Sequence, residues 1–442
     1  MILYDSLSKS RKEISSSKSI GIYVCGITPY DSPHLGHARA AVIFDAFVRW
    51  LRHLHREVNY IRNITDIDDK IIERSKGEDI VSFTAKYIDE YHQMASLLNC
   101  VNPDYEPRVS QHIGEIIALV KKLIELGHAY LANGSVYFSV RSFKDYGRLS
   151  GRDIDELITG TRIESEEEKK DPLDFALWKS AKAGEPSWDS PWGEGRPGWH
   201  IECSAMSMKY LGETFDIHGG GNDLVFPHHE NERAQSEAAT SKEFAKIWMH
   251  NGLITLNNRK MSKSEGNVLS PFTLINKFGA RTLRYYLLSV RYSSPLDVSE
   301  ERLFEAKSAL ERFETFIASV NKNSIAEADE KIISEFSSAL NDDFNTSAAF
   351  SILFEAIKRG NKGTITERNA IAGAIRYCGE AVGIDFFPKE EYRDEEIEKL
   401  IGERNEARRE KNFARSDEIR QELLAKGIIL EDTKEGTRWR KS

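Results

Sequence analysis

A strand–helix–strand pattern near the N-terminus constrains the fold more than any other feature of this 442-residue sequence. Residues 19–26 and 57–62 are rich in β-branched and aromatic side chains, which is typical of buried strands. A helix is expected to begin near His34, and its apolar side chains then share one face: Ala41, Phe44, Phe47, Val48 and Leu51. Because strand, crossover helix and strand form a βαβ unit, we expect a parallel sheet and an α/β fold.

The rest of the sequence predicts additions to this sheet. Residues 130–140 predict a hairpin, since Asn133-Gly134 is a strong turn pair. The charged stretch 159–171 and the prolines that follow it predict a loop-rich insertion. Further elements are expected downstream: a helix at 201–211, a strand at 215–218, a helix from about Pro227, strand character at 247–256 and, in a mostly helical region, a second amphipathic stretch at 332–357.

Composition indicates a soluble, cytoplasmic protein of several domains. The sequence has no long uncharged apolar run, and its first ten residues lack the apolar core of a signal peptide. Four scattered cysteines are too few for a disulfide framework, so free thiols or metal ligands are expected. The net charge of −9 argues against indiscriminate nucleic-acid binding, although residues 401–442 carry 11 Lys/Arg and 9 Asp/Glu.

The loop between the first strand and its helix carries His34-Leu35-Gly36-His37. In an open parallel sheet, ligands bind where strand carboxyl ends meet helix N-termini, and the helix dipole there favours phosphate. Gly36 would leave room for a nucleotide, and both imidazoles could donate hydrogen bonds to phosphate oxygens. The alternative is an ordinary helix start with two surface histidines.

A second candidate for phosphate binding lies far downstream. Lys260-Met261-Ser262-Lys263-Ser264 precedes Gly266-Asn267, so two lysines and two hydroxyls lie in a glycine-flanked loop. Such a loop can hold a triphosphate and its leaving pyrophosphate, although a single lysine-rich loop is more often solvated surface. The histidine and lysine motifs together, in this order, favour a nucleotide site.

The residues also suggest a metal site. Cys25 ends the first strand beside the histidine motif, Cys203 lies near a helix start, and His228 and Glu232 are spaced to share one helical face. Two thiolates, an imidazole and a carboxylate suit zinc. Buried structural thiols remain the alternative, and His229 rivals His228 as the imidazole ligand.

The histidine and lysine motifs resemble the signature pair of the class I aminoacyl-tRNA synthetases. The surrounding sequence resembles the cysteinyl-tRNA synthetase family in particular, over nearly the whole chain. The segments that carry this resemblance are 23–26 (YVCG), 63–70 (NITDIDDK), 198–204 (GWHIECS), 218–221 (HGGG), 228–232 (HHENE), 341–346 (NDDFNT), 428–433 (IILEDT) and 436–439 (GTRW).

The resemblance implies a Rossmann-like parallel-sheet catalytic domain with an insertion, followed by a helical bundle and a small C-terminal tRNA-binding domain. The expected parts are 1–112 (catalytic domain, first half), 113–195 (inserted connective region), 196–245 (second half, with the zinc ligands), 246–300 (stem-contact region with the lysine loop), 301–388 (helical bundle) and 389–442 (anticodon-binding region). Trp439, near the C-terminus, could stack on an unpaired base.

The resemblance also implies an activity and the residues that perform it. Cysteine would be activated with ATP and Mg²⁺ and then joined to the terminal adenosine of the tRNA for cysteine, by a monomer with no membrane partner. One zinc ion would select the substrate thiolate, so no separate editing domain is expected. The implied roles are zinc binding for Cys25, Cys203, His228 and Glu232; catalysis for His34, His37, Lys260 and Lys263; nucleotide binding for Gly26, Gly36, Ser262 and Lys263; and substrate contact for Thr28, Trp199, His218 and Asp223.

One departure from the family raises an alternative. Residues 26–31 (GITPYD) differ from the Gly-Pro-Thr-Val-Tyr pattern common in the family and resemble the mycothiol-pathway ligase, which joins cysteine to a glucosaminyl-inositol. The C-terminal tail and the 63–70 segment favour the synthetase. A second alternative is a non-catalytic tRNA-binding paralogue, but such a protein usually loses the histidines and lysines that this sequence keeps.

Overall fold

The computed structural model describes residues 1–15, 17–153, 168–256, 259–260, 269–320, 328–387, 395–410, 412–425, 428–433 and 436–441. The chain divides into two compact units, Met1–Phe386 and Phe387–Ser442. The strands of the first unit are β1 (Ile2–Asp5), β2 (Ser10–Glu13), β3 (Ser19–Ile27), β4 (Glu57–Ile64), β5 (Ala129–Ala132), β6 (Ser135–Phe138), β7 (Phe175–Ser180), β8 (Gly195–Pro197), β9 (Phe215–Gly221), β10 (Ala245–Asn251), β11 (Ile254–Leu256), β12 (Arg259–Lys260) and β13 (Leu296–Val298). Its α-helices are α1 (Leu35–His53), α2 (Asp69–Ser75), α3 (Ile80–Leu97), α4 (Ile113–Glu125), α5 (Trp199–Leu211), α6 (Glu230–Thr240), α7 (Pro271–Phe278), α8 (Ala280–Leu288), α9 (Glu300–Ala318), α10 (Glu330–Asn341), α11 (Thr346–Gly360) and α12 (Ile365–Ala381).

A parallel sheet in the order β10-β9-β3-β4 forms the centre of the first unit. The predicted βαβ unit is confirmed, because β3 and β4 pair in parallel and α1 connects them. The predicted apolar face of α1 is buried throughout. The chain moves from β3 to β4 on one side and later to β9 on the other. The gap between the carboxyl ends of β3 and β9 is therefore a topological switch point, where ligands bind in open α/β sheets.

The insertion contains a smaller antiparallel sheet in the order β5-β6-β7-β8. Its first hairpin confirms the turn prediction: Asn133 and Gly134 have φ of 48° and 81°, and a two-residue hairpin turn needs positive φ at both positions. Residues 154–167, which cover most of the charged stretch predicted to be loop-rich, lie outside the described residues. The insertion sheet leads directly into α5, which carries Cys203.

The strand character predicted over 247–256 is confirmed, but two strands share this stretch. The central strand β10 ends at Asn251, and β11 belongs to a separate sheet with β12 and β13. Gly252 allows the crossing between sheets, because a Cβ there would lie 2.2 Å from the carbonyl oxygen of Ser294. The strand predicted at 215–218 instead extends to Gly221. Within it, a Cβ at Gly219 would lie 2.4 Å from the ring of Phe44, so the glycine allows close packing of α1.

The amphipathic helical stretch predicted over 332–357 is confirmed, but a break divides it. Two helices, α10 and α11, occupy this region and are separated at residues 342–345. Asp343 and Phe344 have φ of 61° and 46°, which no helix accommodates. Asn345 then begins α11, because its side-chain oxygen accepts a hydrogen bond from the Ala348 N–H at 3.1 Å.

A buried ion pair joins the central-sheet part of the first unit to its C-terminal helices. Arg284 of α8 pairs with Asp45 of α1, and both side chains are almost fully buried. The guanidinium also donates to the carbonyl oxygens of Leu98 at 2.8 Å and Val382 at 2.7 Å. The arginine therefore ties α1, α3 and the end of α12 together.

We predict that Asp45→Ala lowers the free energy of unfolding by about 3–5 kcal/mol, because it leaves a buried guanidinium unpaired. Glu57→Ala is the control, since it removes an ion pair of similar length (2.6 Å, with Lys18) between exposed side chains. That control should cost less than about 1 kcal/mol. Urea unfolding of both variants measures the difference, and equal losses would contradict the role given to Arg284.

The second unit contains α13 (Glu395–Arg409), α14 (Phe413–Ala425), β14 (Ile428–Thr433) and β15 (Gly436–Lys441). The two strands pair antiparallel, with Trp439 opposite Leu430. A small apolar core holds this unit together: Ile397, Ile401, Ile419, Leu423, Ile428 and Leu430. None of the helices in the described part of the chain combines the length and apolar character that crossing a membrane requires.

Candidate active site

A cleft of about 350 Å³ opens at the carboxyl edge of the central sheet. Each of the four parallel strands contributes a residue to its wall at or next to its carboxyl end: Gly26 from β3, Asn63 from β4, Gly221 from β9 and Asn251 from β10. The first turn of α1 forms another part of the wall. The cleft thus occupies the switch point of the sheet, where strand ends and a helix N-terminus converge.

The histidine motif lies at the start of α1, and His34, Gly36 and His37 all line the cleft. The two imidazole rings stack with centroids 3.7 Å apart and planes 11° apart. The backbone N–H of His34 donates to Nδ1 of His37 at 3.2 Å. Nδ1 of His37 is therefore an acceptor, which leaves the proton of a neutral ring on Nε2. The second imidazole can thus donate a hydrogen bond from Nε2.

The lysine motif is only partly described. Lys260 belongs to β12, whereas Met261, Ser262 and Lys263 lie outside the described residues. The described residues on either side of the motif lie at the cleft: Ile254 of β11 lines it, and the carbonyl oxygen of Leu269 accepts a hydrogen bond from the first N–H of α1 at 3.1 Å. The phosphate role of the two lysines remains a prediction.

The four predicted metal ligands meet at one end of the cleft, with their donor atoms within 4.8 Å of one another. The Sγ of Cys25 lies 3.8 Å from the Sγ of Cys203 and 3.5 Å from Oε1 of Glu232. The Nε2 of His228 lies 3.0 Å from the same carboxylate oxygen. Cys25 comes from β3, Cys203 from α5, His228 from the segment leading into α6, and Glu232 from α6 itself.

An irregularity in β3 places Cys25 at the cleft. The pairing of β3 with β4 shifts register between Val24 and Ile27, so the strand bulges at Cys25 and Gly26. Only glycine fits at position 26, because a Cβ there would lie 1.6 Å from the carbonyl oxygen of Asn63. The Gly26 N–H donates to Oδ1 of Asn63 at 2.9 Å, which fixes the bulge. The nucleotide contact predicted for Gly26 remains a prediction, whereas the close approach of the Asn63 carbonyl oxygen explains why this position is glycine.

The electrostatics of the cluster favour a cation. The hydrogen bond from Cys25 lowers the pKa of Cys203 to about 6, so Cys203 is a thiolate at neutral pH. Burial, next to that thiolate, raises the pKa of Cys25 well above its ordinary value. Burial alone would lower the pKa of His228, but the Glu232 carboxylate raises it above the ordinary value. Buried negative charge is thus concentrated where donor atoms converge.

The two rival histidines point in different directions. His228 lines the cleft, and its Nδ1 lies 3.1 Å from Nδ1 of His200. His229 is fully buried, with Nε2 3.3 Å from the Sγ of Cys25 and Nδ1 2.8 Å from Nε2 of His250. Both imidazoles therefore reach the cluster, but His228 does so from the cleft side, beside the predicted substrate contacts.

The predicted substrate contacts divide into two groups. Thr28, Trp199 and Asp223 line the cleft. Trp199 is 38% exposed and stacks on the ring of His228, with centroids 4.4 Å apart. His218 instead lies fully buried behind Glu232, with its Nε2 2.8 Å from Oε2 of that carboxylate. It therefore supports a predicted metal ligand directly.

Several residues of the cleft were not singled out from the sequence: Tyr30, Arg39, Asn63, Thr65, Lys70 and Asn251. Asn63 could have been found, since it follows a predicted strand of the parallel sheet, whereas the end of β10 at Asn251 was not predicted. Arg39 is buried and donates to the carbonyl oxygens of Leu253 and Ser294, at 2.9 Å and 2.5 Å. It fixes α1 to the segment after β10, and no local sequence pattern indicates that contact.

Comparison with known proteins identifies the family. Three family models match successive parts of the chain: the tRNA synthetases class I (C) catalytic domain at residues 11–308, the DALR domain at 335–386 and the cysteinyl-tRNA ligase anticodon binding domain at 393–440. A cysteine–tRNA ligase of Carboxydothermus hydrogenoformans is 49% identical over 465 residues and spans 100% of both chains. The chain belongs to the cysteine–tRNA ligase family. Its resemblance to that family is confirmed, and its enzyme class is that of the aminoacyl-tRNA ligases.

A further relative and two solved structures are similar to this ligase. A cysteine–tRNA ligase of Idiomarina loihiensis is 49% identical over 436 residues, covering 96% of this chain and 95% of that protein. Among solved structures, the Mycobacterium tuberculosis methionyl-tRNA synthetase with methionyl-adenylate matches 83% of this chain and 90% of its own at a TM-score of 0.59 and 15% identity. The Agrobacterium radiobacter LeuRS–tRNA–LeuAMS complex matches 83% of this chain and 84% of its own at 0.61 and 12%. These structures confirm the class I fold.

Proposed function

We propose that this ligase activates cysteine with ATP and transfers it to the terminal adenosine of the tRNA for cysteine, and that a zinc ion selects the cysteine. The observation that carries this proposal is a single cleft with two chemically distinct ends. One end has the stacked His34–His37 pair at a helix N-terminus, which suits phosphate. The other end has the cluster of Cys25, Cys203 and His228, which suits a soft cation.

The donor set fits zinc. Two sulfur atoms, one imidazole nitrogen and one carboxylate oxygen converge within 4.8 Å. The lowered pKa of Cys203 reduces the free energy needed to deprotonate this thiol when a metal binds. When bound here, zinc would take the substrate sulfur as a thiolate ligand, for which the hydroxyl of serine is a poor substitute at neutral pH. This selectivity matters because cysteine and serine are nearly the same size, and a pocket without a metal separates such isosteres by only a few kcal/mol.

The chain's own residues would orient the reactants and stabilise charge. We assign Cys25, Cys203 and His228 to the side chain of the substrate cysteine, and Thr28 and Asp223, which also line the cleft, to its amino and carboxylate groups. The carboxylate then forms a bond to the α-phosphorus of ATP while the bond to the pyrophosphate oxygen breaks. In the second step, a ribose hydroxyl of the terminal adenosine attacks the acyl carbon and AMP leaves.

The N-terminus of α1 would stabilise negative charge on the phosphate groups of ATP. The Nε2–H of His37 can donate to an oxygen of the transferring phosphoryl group, and the helix dipole adds partial positive charge. We assign Lys260 and Lys263 to the leaving pyrophosphate, with Mg²⁺ bound to ATP. Gly36 and Ser262 complete the proposed nucleotide contacts. Trp199, stacked on His228 at the cleft, would cover the bound side chain.

The acceptor is better supported as tRNA than as a small amino-sugar. The match at residues 393–440 is to an anticodon binding domain, which a ligase for a small acceptor has no need of. The non-catalytic alternative is disfavoured because the histidine pair is intact and lines a formed cleft. We further propose that the protein acts as a monomer in the cytoplasm.

Transfer of labelled cysteine to bulk tRNA in the presence of ATP and Mg²⁺ tests this proposal. We expect label on the tRNA, no label with serine, and none on tRNA whose terminal ribose has been oxidised with periodate. Cysteine-dependent pyrophosphate exchange without label on tRNA would favour the small-acceptor ligase. Neither activity in zinc-loaded protein would favour the non-catalytic paralogue.

A further inference from the structure

Two of the proposed zinc ligands also belong to a second cluster of donor atoms. Cys25, His218, His229 and Glu232 have their ligand atoms within 4.8 Å of one another, as the proposed zinc ligands do. We call this set the inner cluster and the proposed zinc ligands the outer cluster. The inner cluster replaces Cys203 and His228 with two further histidines.

The two shared side chains lie between the clusters. The Oε1 of Glu232 faces His228 at 3.0 Å, while its Oε2 faces His218 at 2.8 Å. The Sγ of Cys25 lies 3.8 Å from the Sγ of Cys203 on one side and 3.3 Å from Nε2 of His229 on the other. Each shared residue can therefore turn its donor atoms to either cluster, but full coordination at one position excludes it at the other.

One histidine of the inner cluster is held as metal ligands usually are, and the other is held by ring stacking. Metal-bound histidines generally use their second ring nitrogen in a hydrogen bond that fixes the ring. The Nδ1 of His229 lies 2.8 Å from Nε2 of His250, whose own Nδ1 lies 2.8 Å from Oγ of Ser6. The His218 ring is fixed by stacking on Trp248, with centroids 4.6 Å apart and planes 13° apart. Both rings thus keep Nε2 directed at the cluster.

The backbone of β9 makes room for this arrangement. A Cβ at Gly220 would lie 2.8 Å from Cε1 and 3.0 Å from Nε2 of His229, so the glycine lets that ring lie against the strand. The Nδ1 of His218 is buried and has no hydrogen-bond partner among the described residues. Nε2, which lies 2.8 Å from Oε2 of Glu232, is therefore the ring nitrogen through which His218 contacts the cluster.

The geometry points to an alternative metal position in this ligase, formed by the inner cluster and exclusive of the proposed zinc position. Its donors are one thiolate, two imidazoles and one carboxylate, a set that suits borderline ions such as Co²⁺, Ni²⁺ and Zn²⁺. His218, His229 and Glu232 are fully buried and only Cys25 of this cluster lines the cleft, so an ion held there would lie behind the cleft wall. Occupation of the inner position would therefore be inhibitory. The inference depends on donor geometry and not on the proposed aminoacylation.

Cobalt binding to variants of the full-length protein tests the inner position. Cys203→Ser combined with His228→Asn removes only outer ligands, and this double variant should bind one Co²⁺ with about half the thiolate-to-cobalt absorption of the native protein, because one thiolate remains instead of two. Adding His218→Asn should weaken Co²⁺ binding by about 100-fold. The matched control adds His128→Asn instead, in the insertion hairpin, and should leave the Kd unchanged.

The inference is overturned if the double variant binds Co²⁺ no more tightly than one that also carries Cys25→Ser and Glu232→Gln. Circular dichroism first establishes that each variant is folded. If the double variant does not fold, X-ray absorption of Ni²⁺-loaded native protein decides instead. One sulfur ligand per nickel supports the inner position, and two sulfur ligands overturn it. Neither result depends on whether the protein charges tRNA.

Discussion

Replacement of Cys203 by serine is expected to lower kcat/KM for cysteine-dependent pyrophosphate exchange by about 10³-fold. Loss of a residue that only supports a metal ligand costs 10–100-fold, and Cys203 is proposed as a ligand itself. Its substitution also removes the thiolate that pairs with Cys25. Zinc content of the purified variant should fall in parallel with activity, which elemental analysis measures on the same sample.

Cys100→Ser is the matched control for this prediction. Cys100 is half-buried near Arg284, 3.8 Å from its Nη1, and belongs to neither metal cluster. Zinc content and exchange activity should both stay at the native level in this control. A Cys203→Ser variant that retained full zinc and exchanged cysteine normally would refute the proposed ligand set.

The second large effect is expected from His37→Ala. Removing one preorganised donor to a developing negative charge typically lowers kcat by about 10²–10³-fold, or 2.7–4 kcal/mol. The KM for cysteine should change little, because His37 belongs to the phosphate end of the cleft and not to the cysteine cluster. Pyrophosphate exchange at varied cysteine and ATP concentrations separates the two parameters.

His55→Asn, at the other end of α1, is the control for the histidine prediction. His55 is exposed, and its φ of 58° suits asparagine, so the backbone should not change. This variant should keep native kcat and KM. A His37→Ala variant that raised the KM for cysteine while keeping kcat would place the second histidine at the wrong end of the cleft.

The sequence was a good guide where a local pattern determines the structure. The apolar face of α1 predicted both the helix and its burial. Asn133-Gly134 predicted a hairpin, because this residue pair readily adopts the positive φ values that the turn requires. The proposed zinc ligands were named from residue types and family resemblance, and the fold brings their donor atoms within 4.8 Å of one another. In each case the information lies in side-chain chemistry at fixed spacing.

The sequence failed where the structure depends on contacts between distant backbones. Nothing in the sequence near Gly252 indicates that the carbonyl oxygen of Ser294 lies 2.2 Å from the position that a Cβ of residue 252 would occupy. This close approach occurs where the chain leaves one sheet and enters another. The break between α10 and α11 likewise depends on Asp343, which accepts hydrogen bonds from Tyr4 and Tyr292 far away in sequence. The choice between His228 and His229 could not be made, because adjacent residues differ only in direction.

The overlap of the two metal clusters has a consequence for how the ligase would be prepared. Protein expressed with excess nickel or cobalt would carry part of its metal at the inner position, where the metal would not bind a substrate in the cleft. We therefore expect specific activity to follow zinc content more closely than total metal content.

X-ray absorption at the zinc edge, with and without bound cysteine, tests the central claim most directly. We predict two sulfur ligands in the free ligase, from Cys25 and Cys203, and three when cysteine is bound, with serine leaving the number at two. A sulfur count that does not change when cysteine binds would contradict selection of the substrate by its thiolate.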